Sequence, residues 1–535
     1  MTLLNEKKTN WRWAMCLLLF VATTVNYMDR QVLSLTWKDF IAQEFNWTDS
    51  HYGTITGFFS IFYAFACLFA GKFVDWMGTK KGFLWAIGIW SLGACMHAGC
   101  GWATMKFLGY ESIEAVKAVD VGSAAAMAIA GLSVWLFLIC RGILALGEAG
   151  NFPAAIKVTA EYFPKKDRAL ATSLFNAGAS IGALAAPLTI PILADKFGWE
   201  MAFIIIGVLG FVWMFFWVFM YDKPEKSKHV NKAELEYILQ DEKDAPKEVA
   251  AAATEEKTIP FFKCFGFKQT WAFIAGKFFT DGVWWFYLFW APAYFSEFGA
   301  GMDTTLGKML VFVLYLIVTI VSIGGGYLPK LFVEQKGMEP YSGRMRAMLI
   351  FAFFPLLALF AQPLQDYSLW FPAIIIGIAG AGHQAWSANI FSTVGDMFPK
   401  STIASITGIG AMAGGIGSFL INKGAGALFT KFAGKFTMPG SDNVYEISCK
   451  AIAKATNVEK YVLPEGLTAN EATQALVAKV QEIGGTIVEA PMQALGFEGK
   501  PAGYMIVFCI CAVAYLIAWA IMKSLVPKHK PIVVK

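Results

Sequence analysis

FPKKDRALATSLFNAGASIG, residues 163–182, and FPKSTIASITGIGAMAGGIG, residues 398–417, are two similar segments that define an internal repeat. In each, a Phe-Pro-Lys tripeptide ends one apolar stretch and begins another that is rich in small residues. Ile181-Gly182 and Ile416-Gly417 match at the same offset of 235 positions. The chain therefore contains two parallel repeats. Such repeats in an apolar chain are typical of transporters whose substrate site lies between two lobes, near the middle of the bilayer.

The composition indicates a membrane protein. Of the 535 residues, 57% are hydrophobic and 16% are charged, whereas soluble domains are about 45–50% apolar and about 25% charged. A globular core cannot hide this much apolar surface, so we expect lipid to cover much of it. The net charge of +5 gives no sign of nucleic-acid binding. The nine cysteines do not form a disulfide or zinc pattern, because most lie inside apolar segments.

The hydrophobic segments predict an all-α membrane protein with twelve transmembrane helices in two pseudo-symmetric six-helix bundles. A helix needs about 20 apolar residues to cross the hydrocarbon core. The candidate spans are residues 12–36, 52–74, 83–103, 123–162, 169–194, 200–221, 270–295, 303–328, 345–363, 369–396, 402–430 and 503–523.

The polar segments divide the chain into three parts. We predict an N-terminal six-helix bundle over 1–221, a cytoplasmic central linker over 222–268, and a C-terminal six-helix bundle over 269–535. Lys and Arg concentrate in alternate loops, which by the positive-inside rule predicts that both termini are cytoplasmic. The opposite loops then include a large extracytoplasmic insert at about 431–502.

The loop between the second and third spans carries a specific signature. GKFVDWMGTKKG, residues 71–82, combines small residues, an acid at a helix end and a basic cluster. It resembles the loop signature of the major facilitator superfamily, which implies a gating role for Gly71, Asp75, Gly78 and Lys80. Trp76 stands where the family usually has Arg, so part of the expected charge network is missing.

Further segments resemble one branch of that superfamily. RGILALGEAGNFP (141–153), NYMDR (26–30) and NAG (176–178) resemble the anion:cation symporter family, and KFFTDGVWWFY (277–287) and GHQAWSAN (382–389) are most similar to bacterial hexuronate transporters. The resemblance implies a multi-pass protein of the bacterial inner membrane, with the insert in the periplasm. It also implies a small organic anion as substrate, protons as the coupling ion, no cofactor and a functional monomer.

Four charged residues in the first half fall within predicted spans. A charge at a helix centre costs about 2.5–3.5 kcal/mol on insertion scales. The presence of Asp29, Arg30, Arg141 and Glu148 within spans therefore indicates a functional or structural role for each. Arg141 and Glu148 are seven residues apart and share a helix face. We expect Arg30 and Arg141 to bind a substrate carboxylate through their planar guanidinium groups, and Asp29 and Glu148 to carry protons. The alternative is that these residues form structural ion pairs between helices.

Polar residues of the tenth span give a matching set in the second half. The 235-residue offset places Glu148 opposite His383. Donors and acceptors on one helix suit the hydroxyls of a sugar, which makes His383, Gln384, Ser387 and Asn389 candidate substrate contacts. The alternative is that they form polar contacts between helices, which are common in membrane bundles.

The seventh span adds a charged pair and an aromatic face. Lys277 and Asp281 are four residues apart, so they could pair. Trp284 and Trp285 continue roughly the same face. We take Asp281 and Trp284 as candidate substrate contacts, with a self-neutralising Lys–Asp pair as the alternative. Tyr63 and Asn176 are further candidates for substrate binding.

These patterns predict proton-coupled uptake of a sugar acid, specifically a hexuronate such as glucuronate or galacturonate, by alternating access. Another organic anion (an aldonate, a dicarboxylate or an aromatic acid) is the alternative substrate. A multidrug exporter fits less well, because buried arginines suit anions, and a nutrient sensor would need a longer signalling tail. The sequence offers no nucleophile–base arrangement and no metal-ligand cluster, so we expect neither an enzyme nor a metal site.

Overall fold

The computed structural model describes residues 8–240, 259–399, 402–441, 443–458, 461–464, 466–530 and 532. Residues 241–258 of the predicted linker lie outside the described part. The helices of the first half and linker are α1 (Trp11–Thr36), α2 (Ala42–Phe45), α3 (Asp49–Met77), α4 (Thr79–His97), α5 (Cys100–Leu108), α6 (Ile113–Lys117), α7 (Ala124–Glu148), α8 (Asn151–Tyr162), α9 (Lys165–Phe197), α10 (Trp199–Met220) and α11 (Lys232–Ile238).

The second half repeats the pattern of long helices and adds a small mixed unit between the last two. Its helices are α12 (Lys268–Glu297), α13 (Thr305–Ser322), α14 (Gly324–Glu334), α15 (Pro340–Ala352), α16 (Ala361–Gln365), α17 (Trp370–Met397), α18 (Ile403–Phe432), α19 (Cys449–Ala455), α20 (Ala469–Glu482) and α21 (Lys500–Leu525). Its strands are β1 (Lys435–Thr437), β2 (Val444–Glu446), β3 (Thr486–Glu489), β4 (Gln493–Ala494) and β5 (Phe497–Glu498).

Twelve membrane crossings can be traced through the described residues. Eight helical segments are long and apolar enough to cross a membrane, and the bent pair α4–α5 makes a ninth. Three more helices, α1, α12 and α17, have 26, 30 and 28 residues, and their polar residues reduce their hydropathy. These counts agree with the predicted twelve-helix fold.

Four predicted spans contain more than one helix. The span predicted over 123–162 comprises α7 and α8, and the span predicted over 303–328 runs through α13 into α14. The span predicted over 83–103 is α4 followed by α5, with a bend of 52° between them. The span predicted over 345–363 is α15, a 3-10 turn at Phe354–Phe360, and α16. Pro355 lies in the first turn of that 3-10 segment, and a proline cannot donate the hydrogen bond that would continue an α-helix.

Small residues let helices cross closely within each half. A Cβ on Gly178 would lie 2.4 Å from the carbonyl oxygen of Phe20 on α1, and a Cβ on Gly410 would lie 2.1 Å from the ring of Phe273 on α12. Close crossings of this kind are what small-residue spacing in membrane helices predicts.

The two halves meet mainly through α3 and α18. A Cβ on Gly53 would lie 2.6 Å from the carbonyl oxygen of Asn422, and one on Gly426 would lie 2.3 Å from the carbonyl oxygen of Asp49. A Cβ on Gly415 would lie 2.3 Å from the Cβ of Ala64, about four turns along α3 from Asp49. The halves are therefore closed against each other on the side where α3 begins and α18 ends.

Residues 435–498, between α18 and α21, form the insert, which packs on that same side; we call this side the insert face. Its three-stranded antiparallel sheet has the order β2-β1-β3, and β4 pairs with β5. Phe436, Ile452 and Val480 form the centre of a separate small hydrophobic core. Among the described residues, β-strands occur only in this insert, so the membrane part is helical throughout.

On the opposite face, linker helix α11 caps the start of α1. The carboxylate of Glu234, which is fully buried, accepts hydrogen bonds from the backbone N–H groups of Trp11 and Arg12 at 2.9 and 3.1 Å and from the hydroxyl of Thr9 at 2.5 Å. The guanidinium of Arg12 also contacts it at 2.9 Å. A carboxylate at a helix N-terminus is favoured by the unpaired N–H groups and by the helix dipole.

Candidate functional site

An ion pair between α1 and α7 forms the centre of the candidate site. Arg30 donates to Glu148 from Nε at 2.9 Å and from Nη2 at 2.7 Å, and both bonds end on Oε2. Arg30 is 5% exposed and Glu148 is 0% exposed. The other oxygen of Glu148, Oε1, is buried and accepts no hydrogen bond from any residue that the structure describes. Glu148 on α7 thus points toward α1, where its Oε2 binds Arg30. Its Oε1 has no hydrogen-bond partner among the described residues.

Aromatic rings from both halves surround the Arg30 guanidinium. Its central carbon lies 4.6 Å from the ring centre of Tyr63 on α3, 5.2 Å from that of Tyr27 and 5.1 Å from that of Trp285 on α12. Cation–π contacts of this kind stabilise a desolvated guanidinium. Because α12 belongs to the second half, Arg30 lies at the boundary between the halves, where a substrate would contact both.

Asp29 and Arg141 complete a cluster of four charges. Asp29 is 1% exposed, and neither of its carboxylate oxygens accepts a hydrogen bond from a described residue. Arg141 packs over the ring of Phe59 at 5.1 Å and lies within electrostatic range of Asp29 and Glu148. Two cations and two carboxylates give a formal charge of zero, so an entering anion would disturb a balanced cluster.

Two buried asparagines next to these charges also have unused polar atoms. Asn26 and Asn151 are both 0% exposed, and among the described residues neither side-chain amide has a hydrogen-bond partner. An unsatisfied buried amide is costly, so their position beside Asp29 and Glu148 suits a ligand or bound water. Asn26 and Asn151 were not predicted as site residues, although Asn151 extends the helix face of Arg141 and Glu148 by one turn.

In the second half, Lys277 and Asp281 pair as their spacing predicts. Lys277 Nζ lies 2.7 Å from Asp281 Oδ2, and it also lies 4.5 Å from the ring centre of Phe391 on α17. The same Asp281 oxygen faces Gly414 on α18, where a Cβ would lie 2.2 Å from it. Gly414 thus leaves room for the carboxylate between α12 and α18.

His383 is held by an aromatic and hydrogen-bonded arrangement. Its ring stacks on Trp284 with centres 5.4 Å apart and planes 6° apart. Nδ1 lies 2.7 Å from the Tyr515 hydroxyl, which in turn donates to the carbonyl oxygen of Thr280 at 3.1 Å. Because the carbonyl can only accept, the Tyr515 oxygen accepts from Nδ1–H. Nε2 of neutral His383 is then an acceptor, available to a sugar hydroxyl.

The other residues predicted on α17 are placed differently. Asn389 is 4% exposed, and its amide donates to the carbonyl oxygens of Gly325 at 2.9 Å and Ala385 at 2.8 Å. In this arrangement Asn389 joins α17 to α14, which is the contact between helices considered above as the alternative. Gln384 and Ser387 are half-buried.

Two further candidates lie at different distances from the cluster. Tyr63 lies directly against Arg30, as the 4.6 Å contact shows. Asn176 is exposed on α9, and no contact joins it to the charged cluster among the described residues. Trp285, Tyr27, Phe59 and Tyr515 were not predicted as site residues; for Trp285 the available signal was its position one turn after Asp281.

The predicted gating motif forms ion pairs within the first half. Asp75 Oδ1 lies 2.7 Å from Lys157 Nζ on α8, and Lys80 Nζ lies 2.9 Å from Asp222 Oδ1 after α10. Gly78 separates α3 from α4 with φ of +77°, a conformation that glycine adopts readily. Gly71 has open space where a Cβ would be. The motif ties the α3–α4 turn to α8 and to the end of α10.

Within the described ranges, no three His, Cys, Asp or Glu side chains group in a way that could hold a metal ion. The polar groups at the boundary between the halves are carboxylates, guanidinium groups, amides, a lysine and a histidine. Together they can bind an anion and exchange protons, but they form no nucleophile–base pair.

Comparison with curated proteins gives relatives that are transporters. The chain is 26% identical to the hexuronate transporter of Escherichia coli K12 over 422 residues, which are 78% of this chain and 87% of that protein. It is 26% identical to the galacturonate transporter of Dickeya chrysanthemi over 322 residues, which cover 60% of this chain and 82% of that protein. It is 27% identical over 298 residues to a probable galactarate/D-glucarate transporter of E. coli K12, covering 55% and 61% of the two chains.

Solved structures share the fold. A bacterial homologue of the human lysosomal transporter Spinster, in an inward-facing and occupied conformation, matches with a TM-score of 0.61 at 18% identity, covering 97% of both chains. A D-xylose–proton symporter matches with a TM-score of 0.55 at 16% identity, covering 78% of this chain and 90% of that chain.

The family model for the Major Facilitator Superfamily matches residues 19–421. This range includes the charged cluster, the gating motif, the first four spans of the second half and most of the fifth, but not the insert. The chain is a multi-pass membrane transporter with a small-molecule substrate, and it belongs to the Major Facilitator Superfamily.

Proposed function

We propose that this transporter takes up a sugar acid, most specifically a hexuronate such as glucuronate or galacturonate, together with protons, by alternating access. The observation that carries the proposal is the buried Arg30–Glu148 pair at the boundary between the halves, with Glu148 Oε1 and both Asp29 oxygens unused by the described residues. The names of the hexuronate, galacturonate and galactarate/D-glucarate transporters support the substrate class.

The coupling step follows from competition for Arg30. A substrate carboxylate that takes the two guanidinium N–H groups must displace Glu148 Oε2, because both Arg30 bonds end there. Glu148 would then be an unpaired carboxylate at 0% exposure, and such a group favours its protonated form. Proton binding and substrate binding therefore assist each other.

Charge balance suggests how many protons accompany the substrate. Asp29, Arg30, Arg141 and Glu148 sum to zero when ionised. A monoanionic uronate brings the cluster to −1, and one proton on Glu148 or Asp29 restores zero, which a low-dielectric site favours. We therefore propose one proton for each negative charge on the substrate.

The sugar ring would be held by both halves. Tyr63 and Trp285 present ring faces beside Arg30, and His383 Nε2 offers an acceptor from α17. We propose Gln384 and Ser387 as hydroxyl contacts. Asn389 would join them only if α17 moved away from the Gly325 carbonyl.

Counterflow into proteoliposomes tests the substrate. Liposomes loaded with unlabelled glucuronate or galacturonate should accumulate the labelled sugar acid transiently, and liposomes loaded with a neutral hexose should not. Exchange of an aldonate without exchange of either uronate would replace hexuronate by aldonate as the substrate. Exchange of neither would contradict sugar-acid transport.

The alternative organic anions are separated by the same assay. An aromatic acid or a non-sugar dicarboxylate has no ring hydroxyls for His383 or Gln384, so substitutions at those residues would not affect its transport. A loss of uronate exchange in His383→Phe, with Arg30 and Glu148 unchanged, would favour a sugar acid.

A further inference from the structure

Five charged groups close the insert face, and they come from both halves and from the insert. Lys500 Nζ, at the start of α21, lies 2.8 Å from Asp49 of α3, 2.6 Å from Glu446 of β2 and 3.5 Å from Glu297 of α12. Lys38, after α1, lies 2.7 Å from Asp49 and 3.1 Å from Glu297. The five side chains are between 1% and 16% exposed. Because they are buried, these bridges are not ordinary surface ion pairs.

A second set of contacts joins the insert directly to the first half. From α19, Lys454 Nζ donates to Asn46 Oδ1 at 2.7 Å. Lys450 donates to the carbonyl oxygen of Lys38 and lies 3.7 Å from Asp39. Asp39 in turn accepts from the backbone N–H of Met302, in the second half, at 2.9 Å.

The insert also rests on the loop before α7. Val121 packs against the hydrophobic core of the insert. A Cβ on Gly122 would lie 2.1 Å from the carbonyl oxygen of Val444, and Gly122 has φ of +81°. The insert is attached covalently to the second half, so these contacts make it a bridge to the first.

We propose that the insert is a strap that holds the insert face closed, and that its release from the first half, with Lys500 leaving Asp49, is a required step of each transport cycle. The proposal rests on alternating access, which belongs to the proposed function, but not on the identity of the substrate. The insert lies outside residues 19–421, the part that matches the superfamily.

The chemistry of the network suits a reversible contact. Buried ion pairs gain little over their hydrated, separated partners, because desolvation cancels most of the attraction. When the face opens, water reaches all five groups, so the closed and open states remain close in free energy. Replacing Lys500 alone should shift this balance toward the open state. In the closed state, the three carboxylates of Asp49, Glu297 and Glu446 would then be buried with only one ammonium group, that of Lys38.

Cross-linking tests whether the strap must leave. Asn46→Cys/Lys454→Cys, joined by a short bifunctional methanethiosulfonate, should lose uronate counterflow by more than tenfold and regain it after reduction by dithiothreitol. The matched control is Lys435→Cys/Glu489→Cys, which replaces an ion pair of 2.9 Å inside the insert and should transport normally when cross-linked. Wild type treated in parallel accounts for the native thiols. Normal transport by the cross-linked 46–454 variant would overturn the proposal.

A second measurement needs no substrate and therefore separates this proposal from the proposed function. Thr56→Cys places a thiol on α3 at a position that is 2% exposed. Its labelling by a membrane-impermeant maleimide from the insert face should be several-fold faster when Lys500→Met is added, and unchanged when Lys435→Met is added. Equal labelling with and without Lys500→Met would refute the role of Lys500, even if uronate transport is confirmed.

Discussion

Gly182 and Gly417, 235 positions apart, make the same contact in the two halves. A Cβ on Gly182 would lie 2.4 Å from the carbonyl oxygen of Thr24 on α1, and a Cβ on Gly417 would lie 2.0 Å from the carbonyl oxygen of Phe278 on α12. In each half the Gly-rich helix thus lies against the backbone of the first long helix. Those two helices carry Arg30 and Asp281, so the repeated glycines set the depth of charged groups on both sides of the boundary.

Alanine at either glycine should destabilise the protein. In Gly182→Ala or Gly417→Ala the new methyl group would meet a backbone carbonyl, and such overpacking typically costs about 1–3 kcal/mol. The unfolding midpoint in detergent should fall in both variants. Gly424→Ala is the matched control on α18, because nothing lies within 4 Å of its Cβ position and alanine favours a helix. An unchanged midpoint for both test variants would mean that the helices separate without cost.

Part of the fold can be predicted from the sequence alone. The 235-residue offset predicts the two halves, and apolar length predicts twelve crossings, because both follow from local composition. The bend after His97 and the 3-10 turn at Pro355 were not predicted, since hydropathy does not register a change of helix direction.

The candidate site was predicted only in part, because local sequence patterns identify unusual residues but not the contacts between helices. Arg30 and Glu148 stand out because a charge in an apolar span is rare, and the structure brings them together. The sequence places Trp285 on the same helix face as Asp281. Its contact with Arg30 depends on how α12 packs against α1, and no local pattern encodes that packing. Asn389 looked like a sugar contact because its type suits one, but its amide is used by the Gly325 carbonyl in this arrangement.

Glu148→Gln should separate exchange from accumulation. Glutamine keeps the size of the side chain and can still contact Arg30, but it cannot take up a proton. We expect counterflow of a uronate to persist while uptake driven by a proton gradient disappears. Both are measured in the same proteoliposomes, with and without an imposed pH difference. If uphill accumulation continues in this variant, the coupling proton is carried elsewhere, and Asp29→Asn becomes the next variant to measure.

Arg30→Lys should weaken substrate binding even though the charge is kept. An ammonium cannot make the paired bonds that Arg30 directs at one oxygen, and its compact shape does not stack in the same way between Tyr63 and Trp285. Hydrogen bonds to charged groups contribute about 1.5–3 kcal/mol, so the loss should be about 10- to 100-fold. The measurement is the concentration of uronate that half-saturates counterflow. A value within twofold of the wild type would exclude Arg30 from carboxylate binding.

Glu234→Gln should loosen the start of α1 without affecting the membrane core. Burial opposes ionisation of this carboxyl, but the hydrogen bonds from Thr9, Arg12 and Trp11 outweigh it and keep the pKa of Glu234 below its ordinary value. Its stabilising effect is therefore complete at neutral pH and is lost only as the pH falls through that lowered pKa.

Hydrogen–deuterium exchange provides the measurement for this cap. The amides of Trp11 and Arg12 should exchange faster in Glu234→Gln, with a cost of about 1–2 kcal/mol for a lost cap. Glu225→Gln, an exposed residue of the same linker, should leave them unchanged. Equal exchange in both variants would show that the cap adds nothing to α1.

Acid on the insert side should favour the closed strap through Glu446. Burial of this carboxyl in the insert raises its pKa, the negative charge of Asp49 raises it further, and Lys500 and Lys38 oppose the shift. The network also holds three carboxylates, Asp49, Glu297 and Glu446, against two ammonium groups, so one proton would neutralise it. Because the pKa of Glu446 is raised in the closed state, the ionised Glu446 carboxylate destabilises that state at high pH. This destabilisation disappears as the pH falls through the raised value toward that of an ordinary glutamate, about 4.3.

Maleimide labelling of Thr56→Cys from the insert side measures this directly. The labelling rate is corrected for the intrinsic pH dependence of the thiol by using an exposed reference cysteine. Labelling should then be slower at acidic pH on the insert side than at neutral pH, because the pKa of Glu446 is raised in the closed state. Adding Glu446→Gln should remove that dependence and give slow labelling at both pH values, because the amide is neutral throughout. Adding Glu489→Gln, which replaces an exposed carboxyl on β3, should leave the pH dependence of labelling unchanged. A pH response that persists in Glu446→Gln would place the sensing carboxyl elsewhere in the network, with Glu297 the first to replace.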